Sequence, residues 1–472
     1  MTVPSPAETP VPLGTPVTLD PTARFYGEGL VAGGRPWRLL RLSGASRGVL
    51  ERWRRGDVVR SGEERLARAL VSAGLLEAAA APATDLGDVA VVIPVLDDAA
   101  RLDRLLGQLS GFAVTVVDDG SADPDATAAV AAAHGARWVG HDENRGPAAA
   151  RNTGARATTE PFLWFVDADS SVASAREVAG ALRGALADPS VGAAAPRVVG
   201  AGGRHPRDRF ERAASPLDLG PRAGLVHPRG PVPYVPATSL LVRREAFGDG
   251  FDPDMRVGED VDLVWRVIEG GWLVRYLADV RVEHPARATW AAWWRQRVRY
   301  GTSAAALARR HPDAMAPLRV ERWTVVAWLG ALTRAPWLSA RALGALRLSL
   351  TRQLEGATED PAGVARALVA RSVVGSVGPV ARSVVRTYGP LLWLAALHPR
   401  LRRRALSVAA LGTAWRFRGR RPGPLDLALA VADDVAYAIG VALGAARERS
   451  WAALRPVLAP TSVTWRDVVG RR

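Results

Sequence analysis

The chain has 472 residues, 48% of them apolar, no cysteine and a formal charge of +15. The length allows two or three domains with a real core in each, and the lack of cysteine excludes disulfides, thiolate metal sites and cysteine nucleophiles. All 62 basic side chains are arginine, so the charge suits an anionic partner such as a nucleotide, nucleic acid or acidic lipid, and a coding bias toward arginine accounts for it equally well.

Residues 1–22 are rich in Pro and Thr, lack the basic head and apolar run of a signal peptide, and are expected to form a disordered lead-in. Residues 23–80 read as a small separate domain. Gly33-Gly34 lies between two apolar runs, which predicts a hairpin within Gly27–Ser43. Two helices are expected next, one over Ala45–Arg55 with Val49, Leu50 and Trp53 at helical spacing, the other over Glu63–Ala73 with Leu66, Leu70 and Val71, closed by Gly74. Residues 81–88 form an Ala/Pro linker.

A repeated strand and helix pattern follows. Val89–Val95 is a near-pure apolar run ending at Leu96-Asp97-Asp98, then Leu102, Leu105, Leu106 and Leu109 mark a helix. Ala113–Val117 ends in Asp118-Asp119-Gly120-Ser121 before a helix over Pro124–His134, and a third strand, Arg137–Gly140, leads to Asn144-Arg145-Gly146-Pro147. The fourth strand opens at Phe162 (FLWFVDADSS) and delivers Asp167 and Asp169 where its hydrophobic signal stops. The alternation predicts an α/β fold with a Rossmann-like, mostly parallel sheet. In such sheets ligands sit beyond the carboxyl ends of the strands, and carboxylate oxygens are what a hard divalent cation prefers. Read alone, the Asp-x-Asp is equally well turn chemistry. Neither G-x-G-x-x-G after the first strand nor a Walker A sequence occurs, so a nucleotide would be gripped through carboxylates and a metal.

Further on, VGEDVDLVWRV places Val261, Val264, Trp265 and Ile268 on a helical stripe and leaves Glu259, Asp260 and Asp262 off it, either as reactive groups or as acids that stabilise a helix N-terminus. His284 follows Asp260 by 24 positions, as a loop residue or a metal ligand. Thr289–Tyr300 (TWAAWWRQRVRY) suits an amphipathic helix with interfacial tryptophans. Residues 311–472 read as an Arg-rich amphipathic helical region, with apolar blocks over Trp323–Leu332, Tyr388–Leu397 and Val435–Ala446. No uncharged apolar run reaches the roughly 20 residues of a spanning helix. Association with the inner leaflet is expected instead, with Arg400, Arg402, Arg403 and Arg404 toward anionic lipid.

In order and spacing, VVIPVLDD, VVDDGSAD, NRGPAAARNTG, FVDADS and VGEDVDLVWR resemble the inverting family 2 glycosyltransferases with the GT-A fold, over about Val89–Arg310. The resemblance implies a catalytic domain over 89–310 that uses Mn2+ or Mg2+, with Asp167, Asp169 and His284 as metal ligands. It implies that Asp260 is the catalytic base and that Glu259 meets the acceptor. Donor contacts fall on Pro94, Val95, Asp97, Asp119, Asn144, Gly146, Arg151, Asn152 and Asp167. Gln296-Arg297-Val298-Arg299-Tyr300 resembles the Q-x-x-R-W element of cellulose-synthase-like enzymes, which implies that Gln296 and Arg299 hold the donor diphosphate and that Tyr300 packs on the acceptor sugar. The Tyr in place of Trp leaves processive synthesis open. Residues 23–80 resemble PqqD-like peptide-recognition domains, although a DNA-binding winged helix or a structural subdomain has the same pattern.

The whole layout is similar to the glycosyltransferases of mycofactocin systems. That implies transfer of glucose, with UDP-glucose the favoured donor, to a peptide-derived redox cofactor or its precursor peptide, building a short β-1,4-glucan. Two other readings stand beside it: a family 2 enzyme acting on a polyprenyl phosphate or cell-wall glycan at the membrane, and a DNA-binding regulator that senses a nucleotide sugar. A sensor has no need of a base carboxylate, so nucleic acid is not the expected partner.

Overall fold

The computed structural model describes residues 9–27, 29–418 and 420–459. Its contacts divide the chain into two compact units, one made of the residues up to Asp20 together with Arg52–Arg287, the other of Pro21–Glu51 together with the residues from Ala288 onward.

The first unit is built on an eight-stranded sheet: β1 (Val89–Val95), β2 (Ala113–Asp118), β3 (Arg137–Gly140), β4 (Phe162–Val166), β5 (Val191–Gly200), β6 (Gly224–Leu225), β7 (Ser239–Arg243) and β8 (Leu273–His284). The strand order is β6-β8-β5-β7-β4-β1-β2-β3. β1 runs parallel to β2 and β4, β2 to β3, and β5 to β8, while β7 is antiparallel to both of its neighbours. The expected α/β architecture with a mostly parallel sheet is therefore the one the chain adopts. Of the four expected strands, β1 and β4 are continuous apolar runs because both faces of the sheet are covered there: Val91, Ile93, Trp164 and Val166 are fully buried in one core. The register sets Val95 opposite Asp118, and Asp118 opposite Gly140, so the polar ends of these strands share one rim.

Helices pack close to this sheet. On the helix Pro147–Arg156, a Cβ at Gly154 would lie 2.3 Å from Val92 Cγ1, so only glycine permits the approach. The expected linker 81–88 is fixed in place rather than slack. Ala83 N donates to Gly180 O at 2.8 Å on the helix Ala175–Ala185, and a Cβ at Gly184 would stand 2.2 Å from Ala81 O.

The segment expected as one domain, 23–80, is shared between the units, with the division inside the helix Gly44–Arg54. In the first unit the strand Val17–Leu19 pairs with Leu76–Ala78, and Arg68 on the helix Glu64–Ser72 reaches Asp188 at 2.8 Å and Ser190 Oγ at 2.6 Å. In the second unit the expected hairpin forms from Leu30–Gly33 and Arg38–Arg41, with Arg24–Tyr26 as a third strand. Leu30, Ala32 and Leu39 pack there against Leu354, Val364, Ala365 and Leu368. Those partners lie more than 300 positions away, which is why the local pattern suggests an independent domain.

The rest of the second unit is helical: Trp290–Arg310, Arg322–Leu332, Pro336–Leu354, Pro361–Leu397, Arg402–Arg416 and Pro424–Arg447. Trp290–Arg310, expected to close the catalytic domain, belongs here. It meets Pro424–Arg447 through Gly301, Gly440 and Gly444, where any Cβ would come within 2.3 Å of the other helix's backbone. Pro361–Leu397 and Pro424–Arg447 are long and apolar enough, by length and composition, to cross a membrane. The expectation of no such segment counted only uncharged runs. In the structure the interrupting charges are paired: Arg382 Nη2 donates to Asp434 Oδ1 at 2.7 Å, and Asp433 lies 2.7 Å from Arg416 on the helix Arg402–Arg416.

Candidate active site

Acid reaches the rim of the first unit's sheet from three directions. β4 ends at Val166 and hands the chain to Asp167, whose backbone N–H donates to Thr238 O at 3.1 Å. The loop then returns along β8, with Ser171 bridging to Glu283, so Asp169 faces His284 at the end of that strand. His284 Nε2 is 3.3 Å from Asp169 Oδ1, and Arg287 Nη1 is 3.4 Å from Asp169 Oδ2. Burial alone would push the Asp169 carboxyl up, but His284, Arg287 and Arg101 outweigh it and hold it at about 2. Ligand atoms of Asp167, Asp169 and His284 all lie within 4.8 Å of one another. Two carboxylates and one imidazole are a donor set that fits Mn2+ or Mg2+, with the imidazole favouring the former.

The second direction is the helix Glu259–Glu269, entered through Gly258 at φ 83°. Only a residue free to take that left-handed conformation turns Glu259 and Asp260 into the rim. Asp260 Oδ2 accepts from Ala237 N at 3.3 Å and Oδ1 from Val261 N at 2.8 Å. Burial and the adjacent Glu259 carboxylate push Asp260 up to about 7, against the opposing pull of Arg151. Arg151 joins the two acidic groups. Its Nη1 donates to Glu259 Oε1 at 2.9 Å and its Nη2 to Asp167 Oδ1 at 2.7 Å, with the guanidinium 5.2 Å from the Phe251 ring centroid. These carboxylates overcome the burial of Arg151 and raise its pKa. Asp260, Glu259, Arg151, Asp167, Asp169 and His284 thus form one connected cluster.

The third direction is the end of β2. Asp119 is buried, with Oδ1 accepting from Arg145 N at 3.0 Å and lying 2.8 Å from His141 Nδ1, while Oδ2 accepts from Gly146 N at 2.7 Å. It pins the loop before Pro147. Asn144 Oδ1 accepts from Arg256 Nη1 at 2.9 Å on the exposed side of that loop. Asn152 is spent on the backbone of Phe251, donating to its O at 2.7 Å and accepting from its N at 2.9 Å. At the end of β1, Val95 is buried and Pro94 half-buried. Asp97 is exposed and holds a left-handed backbone at φ 54°. Its N–H donates to Ser121 Oγ at 2.9 Å and its Oδ1 accepts from Ala122 N at 2.8 Å, which fixes that strained turn against the neighbouring loop.

Gln296, Arg299 and Tyr300 lie in the second unit, on the helix Trp290–Arg310, where Gln296 Nε2 donates to Tyr300 Oη at 2.9 Å and Arg299 is exposed. Sequence reasoning missed His141, Arg256 and Arg287, each of which contacts an expected site residue. His141 stands directly after β3, a position that could have flagged it; Arg256 and Arg287 sit in loops with no distinguishing pattern.

A model of the family described as "Glycosyl transferase family 2" matches residues 90–251. The "Pre-mycofactocin glycosyltransferase" of Mycobacterium tuberculosis is 37% identical over 477 aligned positions, spanning 95% of this chain and 98% of that protein. The chain belongs to glycosyltransferase family 2. A further relative is the "Succinoglycan biosynthesis protein ExoU" of Rhizobium meliloti, 30% identical over 204 residues that cover 39% of this chain and 58% of the relative. Among solved structures, a mannosyltransferase of Pyrobaculum calidifontis in complex with GDP-Man and Mn2+ is 22% identical, covering 74% of this chain and 90% of its own, with a TM-score of 0.40. The family 2 match takes in β1 through β7, and so encloses Asp119, Arg151, Asp167 and Asp169, while Asp260 and His284 lie beyond its end.

Proposed function

We propose that this family 2 enzyme transfers glucose from UDP-glucose to mycofactocin or its precursor peptide, with inversion at the anomeric carbon, and extends it into a short β-1,4-glucan. The observation that carries the reading is the cluster in which Arg151 ties Glu259, the neighbour of the Asp260 carboxyl, to Asp167 of the Asp-x-Asp. Likeness to the mycobacterial relative over 95% of the chain supports the acceptor.

In this mechanism Asp260 takes the proton of the incoming hydroxyl as its oxygen bonds to the anomeric carbon and the bond to the diphosphate breaks. Asp167, Asp169 and His284 would hold Mn2+ or Mg2+, which supplies offsetting charge to the leaving diphosphate. Arg151 keeps Glu259 and Asp167 in fixed relation, and Glu259 lies beside the base on the acceptor side. Asp119 sets the loop that carries Asn144 and Gly146 against the nucleotide. The roles of Pro94, Val95, Asp97 and Asn152 in lining the donor, and those of Gln296, Arg299 and Tyr300, rest on the motifs.

The test is transfer by Asp260→Asn with a panel of UDP- and GDP-sugars and Mn2+. Turnover should be lost while metal-dependent donor binding, read by calorimetry, persists. Turnover at the parent rate would remove Asp260 from the mechanism.

A second reading, of location and acceptor, has its own support. Leu391, Leu394 and Leu397 are 65%, 63% and 81% exposed on the helix Pro361–Leu397, followed at once by Arg400, Arg402, Arg403 and Arg404. Leucines beside arginines suit the anionic cytoplasmic face of a membrane, where a polyprenyl phosphate or cell-wall glycan would be the rival acceptor. Radiolabelled sugar recovered in the lipid phase would favour that rival; label in a small polar product favours the peptide-derived acceptor. Family membership favours either enzyme over a DNA-binding regulator.

A further inference from the structure

Within the second unit, the fully buried member of the 296–300 motif is not one of those expected to meet substrate. Arg297 is 2% exposed. Its Nε lies 2.6 Å from Asp433 Oδ1, and its Nη1 donates to Gln296 Oε1 at 3.2 Å. The guanidinium sits 5.2 Å from the Trp293 ring centroid and 5.8 Å from that of Tyr300. Gln296 Nε2 then donates to Tyr300 Oη at 2.9 Å. Asp433, on the helix Pro424–Arg447, is itself held from another helix by Arg416 at 2.7 Å.

This chain of contacts has a direction. A guanidinium only donates, so the Gln296 oxygen must turn toward Arg297, and the Gln296 NH2 must therefore turn toward Tyr300. Tyr300 Oη is thereby used as an acceptor. A tryptophan, which carries a donor only, could not complete the relay, so the tyrosine at this position matches the amide that faces it. Free in solution, the amide would present either end. Here it faces Arg297, which is itself paired with a buried carboxylate more than 130 positions away in sequence.

We propose that Asp433 is a positioning residue for the transfer reaction: by anchoring Arg297 it fixes which end of the Gln296 amide and which face of Tyr300 are presented to substrate. The inference rests on reading Gln296 and Tyr300 as donor and acceptor contacts.

A double-mutant cycle in the full-length protein tests it, with kcat/KM for UDP-glucose measured in the presence of Mn2+. Gln296→Ala and Asp433→Asn should each lower kcat/KM on the order of tenfold, and the double variant should be no worse than Gln296→Ala alone, because Asp433 acts through Gln296. A purely structural Asp433 gives losses that multiply, which overturns the relay and leaves the substrate reading intact. An unchanged kcat/KM in Gln296→Ala overturns both. Because Asp433→Asn strips a buried partner from Arg297, Arg386 and Arg416, Arg297→Met, which leaves Asp433 paired with Arg416, repeats the cycle should the first variant fail to fold. Thermal unfolding of each variant separates lost protein from lost turnover. Tyr300→Trp should match the Gln296→Ala defect in the parent and add nothing to Asp433→Asn.

Discussion

Two carboxylates in one cluster are shifted in opposite directions, Asp169 down to about 2 and Asp260 up to about 7. Cations surround the first; the second is desolvated beside Glu259, so the same functional group is tuned to hold charge in one place and to accept a proton in the other. If Asp260 is the base, kcat/KM should fall about tenfold per pH unit below about 7 and level off above it, a profile absent from Asp260→Asn. Stability carries the opposite sign. The carboxyl's ordinary value is 3.8 and the folded value is about 7, so its contribution is fully present below the ordinary value and is lost as pH rises through 7. Asp260→Asn should therefore unfold at a higher temperature than the parent at pH 8, with the gap closing toward pH 4. A lower melting temperature at pH 8 would show that Asp260 is not held in a desolvated site. If Asp167, Asp169 and His284 hold the metal, His284→Ala should raise the Mn2+ concentration needed for half-maximal turnover, while excess chelator abolishes turnover in the parent.

Between elements, long-range ties replace the linker that composition suggests. Arg68, on a helix near the N-terminus, is 4% exposed at its side chain and meets Asp188 and Ser190 beside the start of β5. Arg68→Met should destabilise the first unit by about 3 kcal/mol, because Asp188 keeps its charge and loses its partner. Gly184→Ala should cost about 1–3 kcal/mol, since the added methyl would stand 2.2 Å from the backbone oxygen of Ala81. Denaturant midpoints measure both. Unchanged midpoints would mean that residues 81–88 are not seated on the helix Ala175–Ala185. The strands themselves were legible: Val89–Val95 and Phe162–Val166 are continuous apolar runs because both faces of the sheet are covered. The seat of the linker was not, because alanine, proline and glycine look alike whether they are slack or closely packed.

Across the whole chain, the +15 charge is unevenly spread. Residues 361–425 contain twelve arginines and no acid. Some of these, such as Arg382 and Arg416, are committed to Asp433 and Asp434, whereas Arg400, Arg402, Arg403 and Arg404 are exposed beside exposed leucines. Sedimentation with vesicles containing phosphatidylserine should fall when Arg402, Arg403 and Arg404 are changed together to Gln, and should weaken as salt rises past 0.15 M, where the Debye length is about 8 Å. Binding unaffected by either change would point to the apolar residues alone.

The sequence by itself determined the family, four of the eight strands of the sheet and the identity of the acids at its rim, because a buried strand and a carboxylate at its end are written within a few consecutive residues. The tertiary structure alone decided that residues 23–80 divide between two units, that Trp290–Arg310 packs with the C-terminal helices, and that Arg151 joins Glu259 to Asp167. Each of those outcomes depends on a partner between 16 and several hundred positions away, and pairing at such distances is fixed by three-dimensional packing, which no local pattern of residues encodes.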